Sequence, residues 1–260
     1  EAPAVSGFYM AAAHLQHAPR RADLLRDSIP HCASRLRAAG ADARQTAQTM
    51  CNMLWAQTAL DCLSPEDFAA AYGLVADAHA EKGGAFFRAR RGSSRSKSAA
   101  EVLPEQGLAQ VYQSAVHLGI KTGAAVEDLI SSPALLAAAA SAWRRNGASV
   151  SLFHEQVMGV LRRMGVPFEL EHRPDHGLFS IDLAIRVEGK RRLAVEVDGP
   201  LHFAQTAPYR ELAHTALRNR LLRHHGWEVV SLPHREWREL RSEAQRQDYL
   251  RRKVVDRMAA

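Results

Sequence analysis

Two apolar stretches that alternate with polar residues flank a glycine in residues 180–199, which read SIDLAIRVEGKRRLAVEVDG. Alternation is the pattern of a strand with one buried face, and the short Glu-Gly-Lys link predicts a β-hairpin. A hairpin centred on Gly189 places Asp182 directly opposite Glu196, and Asp198 follows on the same face. The predicted opposite, buried face consists of Ile181, Leu183, Ile185, Val187, Leu193, Val195 and Val197.

The facing carboxylates need an explanation, because like charges directly across a strand pair are destabilising. A cation between the carboxylates, protonation of one of them, or basic side chains above them would each relieve the repulsion. Asp182 and Glu196 are therefore candidate ligands of a divalent cation such as Mg²⁺. In the alternative interpretation the cleft is a relic, and its carboxylates meet arginines such as Arg218 or Arg220.

The sequence around the hairpin predicts a small α/β domain over residues 150–260. Apolar residues at helical spacing predict an amphipathic helix over 151–164, and a strand follows at 166–170. After the hairpin we expect a basic helix over 208–225 that turns Arg218, Arg220 and Arg223 outward. A strand over 227–233 and a charged helix over 242–258 complete the domain.

Residues 1–149 predict a helical domain, since Ala, Leu, Gln and Arg dominate and β-branched runs are missing. We expect helices over 21–38, 44–59, 65–81, 104–118 and 133–145. Between the third and fourth lies a segment rich in Gly and Ser with no acid, which predicts a mobile basic loop over 88–97 that can contact phosphates. Its five cations are Arg88, Arg90, Arg91, Arg95 and Lys97.

The composition excludes several classes of protein. The 260 residues carry a formal net charge of +6, which permits a polyanionic partner. No run of about 18 apolar residues occurs, so we expect no membrane-spanning helix. Three cysteines without a CxxC pair argue against a disulfide scaffold and a cysteine zinc site, and the 13 histidines show no HExxH spacing.

Two segments of the helical part resemble repeats. Residues 48–60, QTMCNMLWAQTAL, are similar to a helix of the octotricopeptide repeats, the helical hairpins of organellar RNA-binding proteins, and LAQVYQ at 108–113 looks like a degenerate copy. This resemblance implies helical-hairpin repeats over residues 1–149. The alternative is an ordinary helical domain in which Leu54 and Trp55 are core residues.

The C-terminal motifs resemble the RAP domain over residues 178–255. They are VDGPLHF at 197–203, LRNRLL at 217–222, GW at 226–227, and LP and EW at 232–233 and 236–237. The resemblance implies an α+β protein that binds mitochondrial RNA, with the plastid as the alternative compartment. It would act in RNA maturation, stability or translation, or bind ribosomal RNA and neighbouring ribosomal proteins as a subunit of an organellar ribosome. The expected RNA contacts are the basic loop and Arg218, Arg220 and Arg223.

The same segment also looks like the restriction-endonuclease-like fold. That likeness implies Mg²⁺ ligands at Glu155, Asp182 and Glu196, with His202 as a candidate base, but the lysine of the (D/E)xK pair is Asp198 here. An aspartate cannot stabilise developing negative charge as a lysine does. We therefore expect no cofactor and no enzymatic activity, and keep a Mg²⁺-dependent endonuclease of the PD-(D/E)XK class as the alternative. A non-enzymatic scaffold for other proteins is a third class.

Overall fold

A computed structural model describes residues 2–14, 28–81, 104–145, 151–174, 179–186 and 191–259. The chain forms two compact units, residues 1–146 and 147–260. The first is helical where it is described and the second holds a four-stranded sheet, so the predicted α+β class is confirmed. Within the described residues, no helix has the length and apolar character needed to cross a membrane. The predicted basic loop 88–97 and the hairpin turn 188–190 lie outside the described residues.

Some helices of the first unit begin or end where the sequence supplies capping groups. The carboxylate of Asp42 accepts a hydrogen bond from the Gln45 backbone N–H at 2.7 Å, and the Ser64 hydroxyl accepts one from Asp67 at 3.1 Å. Gly123 ends its helix in the left-handed conformation, with φ of 79°. The helices are α1 (Ala2–His14), α2 (Ser28–Ala38), α3 (Ala43–Ala59), α4 (Pro65–Glu81), α5 (Glu105–Thr122), α6 (Val126–Leu129) and α7 (Pro133–Arg145).

Helix α3 lies at the centre of this unit and packs against α1, α4 and α5. Leu54 and Trp55 are both buried, as an ordinary helical core requires. A polar contact joins two of the helices inside the core, where the Thr58 hydroxyl bonds to that of Ser114 at 2.9 Å. The octotricopeptide-like repeats stay a prediction.

The second unit is built on a mixed sheet of order β1-β2-β3-β4. The first three strands are antiparallel, and β4 runs parallel to β3, which requires the crossover through α9. The strands are β1 (Glu169–His172), β2 (Ile181–Ile185), β3 (Arg192–Asp198) and β4 (Trp227–Pro233). The helices are α8 (Leu152–Arg163), α9 (Ala213–His224), α10 (His234–Glu239), α11 (Glu243–Leu250) and α12 (Asp256–Ala259), with a π-helical turn Arg251–Val255 between the last two.

The predicted hairpin register is confirmed for the three pairs of the ladder, but the predicted pair of Asp182 with Glu196 is not among them. The ladder pairs Leu183 with Val195 and Ile185 with Leu193, which is symmetric about Gly189. One detail of the predicted faces is wrong, because Ile181 packs with the apolar cluster that contains Ala194 and not with that of Leu183. The change of face coincides with Asp182, whose carboxylate accepts the backbone N–H of Val197 at 2.8 Å.

Each face of the sheet buries a different set of side chains. One cluster joins Leu183, Val195 and Val197 to α8 and to the C-terminal helices. The other joins Ala194 and Trp227 to Leu222 of α9. Because residues alternate along β3, Glu196 and Asp198 share the face of Ala194, which α9 covers.

Several elements differ from the prediction. Helix α9 begins at Ala213 and not near residue 208, because residues 200–212 form a short 3₁₀ turn and a loop closed by a bridge between Phe203 and Glu211. Strand β1 begins three residues and ends two residues later than expected, and α5 ends four residues later. Helices α1, α6 and α10 were not predicted.

Candidate functional site

The candidate site is a cluster of carboxylates at the carboxyl end of β3. Glu196 and Asp198 are completely buried, and the backbone pairing of β3 with β4 fixes both positions. Helix α9 covers them with a polar stripe of Thr215, Arg218 and Asn219. A buried acidic pair beneath a basic residue can be stable only if the charges are paired.

Arg218 supplies that pairing. Its Nη1 lies 3.1 Å from Oε2 of Glu196 and its Nη2 lies 2.8 Å from Oδ1 of Asp198. The other oxygen of Asp198 accepts a hydrogen bond from the Ser231 hydroxyl, on β4. The Arg218 Nε donates to the side-chain oxygen of Asn219 at 3.1 Å. One guanidinium therefore bridges two strand carboxylates, with only 12% of its side chain exposed.

The two carboxylates differ in their hydrogen bonding. Neither oxygen of Glu196 has a hydrogen bond of regular geometry within the described part of the chain, although Arg218 lies at ion-pair distance. Burial raises the pKa of Glu196 to about 8; Arg218 opposes the shift, while Asp182 and Asp198 add to it. The pKa of Arg218 is itself raised, since the attraction of Glu196 and Asp198 outweighs the effect of burial. Burial and the neighbouring acids thus favour the neutral form of Glu196, while Arg218 is a cation between Glu196 and Asp198.

Asp182 has a structural partner on each side. One of its carboxylate oxygens accepts the Val197 N–H at 2.8 Å and lies 3.3 Å from Nε2 of His154. This hydrogen bond raises the pKa of His154 despite its partial burial. The other ring nitrogen of His154 lies 2.8 Å from the hydroxyl of Ser151, the N-cap of α8. The helix thus meets the cluster through a histidine.

The structure does not bring Glu155 to the cluster in the way the endonuclease likeness implied. Glu155 is exposed, while the preceding residue, His154, reaches Asp182. Sequence reasoning missed His154, although its position three residues after Ser151 matches the spacing of a capping box. It also missed Ser231, a polar residue inside an otherwise apolar strand.

His202 lies at the edge of the same cluster. Its Nδ1 is 3.1 Å from Oδ1 of Asp198 and 3.1 Å from the hydroxyl of Thr215. Burial lowers the pKa of His202, with Asp198 opposing that shift. The contacts fix the ring between β3 and α9, as a structural hydrogen-bonding residue requires.

Comparison with known proteins places this geometry in a family. Residues 195–253, which run from β3 into the π-helical turn, match the family model of the RAP domain. This chain carries a RAP domain. It is also 37% identical over 109 residues to a RAP domain-containing protein, chloroplastic, of Oryza sativa subsp. japonica. That match covers 42% of this chain and 16% of the relative, so the chain spans a small part of the curated protein it matches.

The matched residues 195–253 therefore include Glu196, Asp198, His202, Arg218 and Ser231, but neither His154 nor Asp182. Of the arginines of α9 that were expected to contact RNA, Arg218 points inward, which corrects the predicted outer face; Arg220 is half-buried and Arg223 is exposed. The helix is buried along two stripes and not one, because the polar stripe faces the strand carboxylates. Arg88, Arg90, Arg91, Arg95 and Lys97 lie outside the described residues.

Among the residues that the structure describes, no group of three or more His, Cys, Asp or Glu side chains is arranged to hold a metal ion. The predicted ligands Asp182 and Glu196 lie on neighbouring strands, and Asp182 accepts a hydrogen bond from the backbone N–H of Val197, the residue after Glu196. The buried oxygens of the RAP domain face a guanidinium at 2.8 to 3.1 Å. A divalent cation between them would be repelled by Arg218.

Proposed function

We propose that this chain is an RNA-binding part of an organellar protein that holds RNA without cleaving it. The RAP domain match indicates a nucleic-acid-binding role, and the chloroplastic name of the rice relative supports an organellar setting. That name favours the plastid, the alternative compartment, over the mitochondrion. The chain would act in RNA maturation, stability or translation, or bind ribosomal RNA within an organellar ribosome.

The observation that carries the proposal is the position of Arg218 between Glu196 and Asp198. Mg²⁺ requires oxygen ligands in near-octahedral geometry and keeps several of its waters. The fully buried oxygens here leave no room for a hydrated ion, and Arg218 already supplies the positive charge. Glu196 and Asp198 therefore do not fit Mg²⁺ as ligands.

A purified chain incubated with labelled RNA, single-stranded DNA and double-stranded DNA in Mg²⁺ or Mn²⁺ tests this proposal. We expect RNA to be bound and none of the three substrates to be cleaved. Failure to bind any RNA would contradict the proposal. Cleavage that disappears in both Asp182→Ala and Glu196→Ala while binding persists would establish the endonuclease alternative, which the proximity of the two acids favours.

The basic loop over residues 88–97 provides a second test. Its five cations and lack of acids suit sequence-independent phosphate contacts. Replacing Arg90, Arg91 and Arg95 by alanine should lower the affinity for different RNA sequences by similar factors and reduce its salt dependence. Unchanged affinity would remove the loop from the interface.

A further inference from the structure

Two cavities meet at α10, the short helix that follows β4. The larger, about 430 Å³, is lined in part by Trp237, Arg241 and Arg246. The smaller, about 140 Å³, is lined in part by Phe203, Tyr209 and Arg235. Both are lined by His234 and Arg238, so the two cavities are neighbours along one surface, which we call the α10 groove.

The arginines of the larger cavity differ from several other arginines of this unit in lacking acidic partners. Arg163 pairs with Glu243 at 2.7 Å, and Arg191 and Arg257 both pair with Glu228, at 3.3 and 3.0 Å. Within the described part of the chain, by contrast, Arg238, Arg241 and Arg246 form no ion pair. The groove therefore holds positive charge that the fold itself does not neutralise.

Arg246 is held in place by its surroundings. Its guanidinium carbon lies 5.2 Å from the centre of the Trp237 ring, and its Nε is buried without a hydrogen-bond acceptor. The indole N–H of Trp237 is fixed in turn by the side-chain oxygen of Gln156 at 2.9 Å. A guanidinium stacked on a fixed ring presents its remaining N–H groups in a defined orientation, which suits phosphate oxygens.

The acids of the groove are few and partly engaged. Glu236 accepts a hydrogen bond from the Tyr249 hydroxyl at 2.9 Å and pairs with Lys253 at 3.1 Å. Glu239, at the end of α10, is exposed. Arg235 also pairs with Glu236 at 3.4 Å, and Glu243 pairs with Arg163. The balance over residues 234–246 remains positive, since this stretch holds four arginines and three acids.

The smaller cavity adds an exposed aromatic ring. Tyr209 is 41% exposed and carries Arg235 over its ring, 4.9 Å from the centre. Its φ of 54° is in the left-handed region, which a bulky side chain rarely occupies. The fold thus holds an aromatic residue at the surface in a strained backbone conformation, beside a row of arginines.

We propose that the α10 groove binds single-stranded RNA, with backbone phosphates against Arg238, Arg241 and Arg246 and one base against Tyr209. Cations that follow a groove together with an exposed aromatic ring are the features by which proteins hold unpaired strands. The inference rests on the proposed function and adds to it the location and the strandedness of the RNA.

The test measures binding of the full chain to a fluorescein-labelled oligouridine between 50 and 200 mM salt. Arg238→Ala with Arg241→Ala should weaken binding at least about tenfold and reduce the slope of log affinity against log salt by about 1.4, since each phosphate contact to a single strand contributes about 0.7. The matched control is Arg191→Ala with Arg257→Ala, which removes the same charge outside the groove. We expect the control to change affinity less than about twofold. Thermal unfolding of both variants checks that they are folded.

Substitutions of Tyr209 provide a second, independent test of the groove. Tyr209→Ala should weaken binding by about 5- to 100-fold without changing the salt slope, because stacking releases no counterions, while Tyr209→Phe should keep the affinity. Equal losses in the arginine double variant and its control would overturn the groove while leaving RNA binding intact. An unaffected Tyr209→Ala variant, or equal affinity for a duplex of the same length, would overturn the single-stranded assignment. A wild-type chain that binds no RNA would instead overturn the proposed function.

Discussion

The guanidinium of Arg218 lies within 2.8 Å of Asp198, two residues along β3 from a second buried carboxylate that the same guanidinium contacts. A side chain of helix α9 thus supplies a positive charge to the acidic end of strand β3. This arrangement indicates that Arg218 stabilises the fold. Removing Arg218 would leave a buried carboxylate without a counter-charge. This change lowers the free energy of unfolding by more than the intact ion pair contributes to it.

Arg218→Ala should therefore destabilise the chain by about 3 to 5 kcal/mol, the range for breaking a buried pair from one side. Urea denaturation followed by circular dichroism measures the free energy of unfolding. Arg223→Ala is the control, because Arg223 is an exposed arginine on the same helix, and it should change stability by less than about 0.5 kcal/mol. Similar stability of the two variants would show that Arg218 is not essential to the cluster.

Glu196→Gln should remove a pH dependence of stability. The pKa of Glu196 is raised by burial from its ordinary value of 4.5 to about 8. Between these values the folded protein binds more protons than the unfolded chain, so the contribution of Glu196 to stability is full below about pH 4.5 and is lost as the pH rises through about 8. The wild-type protein should lose stability relative to Glu196→Gln over this window.

Unfolding free energies of the two proteins at several pH values check this expectation. Glu239→Gln, a change at an exposed residue, serves as the control and should follow the wild-type curve. A constant difference between wild type and Glu196→Gln across the window would mean that Glu196 is ionised when folded.

His154→Ala should weaken the start of α8 and the contact with Asp182. Nδ1 of the imidazole lies 2.8 Å from the Ser151 hydroxyl, to which a protonated ring donates, and Nε2 lies 3.3 Å from the Asp182 carboxylate, which raises the pKa of His154. We expect a loss of about 1 to 2 kcal/mol near pH 6, where the histidine is charged. The ion-pair part of this stabilisation is full below the ordinary pKa of about 6.5 and is lost as the pH rises through the raised value.

The pH dependence of the His154→Ala effect separates the two contributions. Its destabilisation should shrink with rising pH, while that of Ser151→Ala, which removes only the cap, should stay nearly constant. An effect of His154→Ala that does not vary with pH would show that the histidine acts only through the cap.

The strand register was predictable because it follows from local sequence. Alternation on both sides of Gly189 fixes the pairing of Leu183 with Val195, and a shift of one residue would turn every apolar side chain to the wrong face. Strand β4 was also placed with its observed bounds. The expected change of composition near residue 149 also lies close to the division between the two compact units.

Periodicity assigns an arginine on an amphipathic helix to the solvent side, and only the alternative drawn from the repulsion between the carboxylates placed Arg218 against them. Its burial makes sense only when α9 lies over the acidic end of β3, a contact across 20 residues of sequence. The change of face at Ile181 has a similar cause. The carboxylate of the next residue, Asp182, accepts a hydrogen bond from the backbone N–H of Val197 at the end of the ladder. Both errors arise where polar groups override apolar patterning.

Asp198→Lys should fail to create a nuclease. It places the lysine that the endonuclease motif expects, but Asp198 is completely buried and bonded to Arg218, Ser231 and His202. The new ammonium would lie beside the Arg218 guanidinium with no carboxylate of its own, so we expect a loss of stability of about 3 kcal/mol or more. The chain should cleave neither RNA nor DNA in Mg²⁺.

A charge exchange tests the physical reason for that failure. Asp198→Lys combined with Arg218→Glu restores opposite charges across the same contact, and the double variant should recover part of the lost stability. The coupling energy from the double-mutant cycle should be at least about 1 kcal/mol, since the two residues touch. A stable Asp198→Lys variant that cleaves RNA would show that the fold needs only its lysine to be an endonuclease. Absence of coupling would show instead that volume, and not charge, decides what the position accepts.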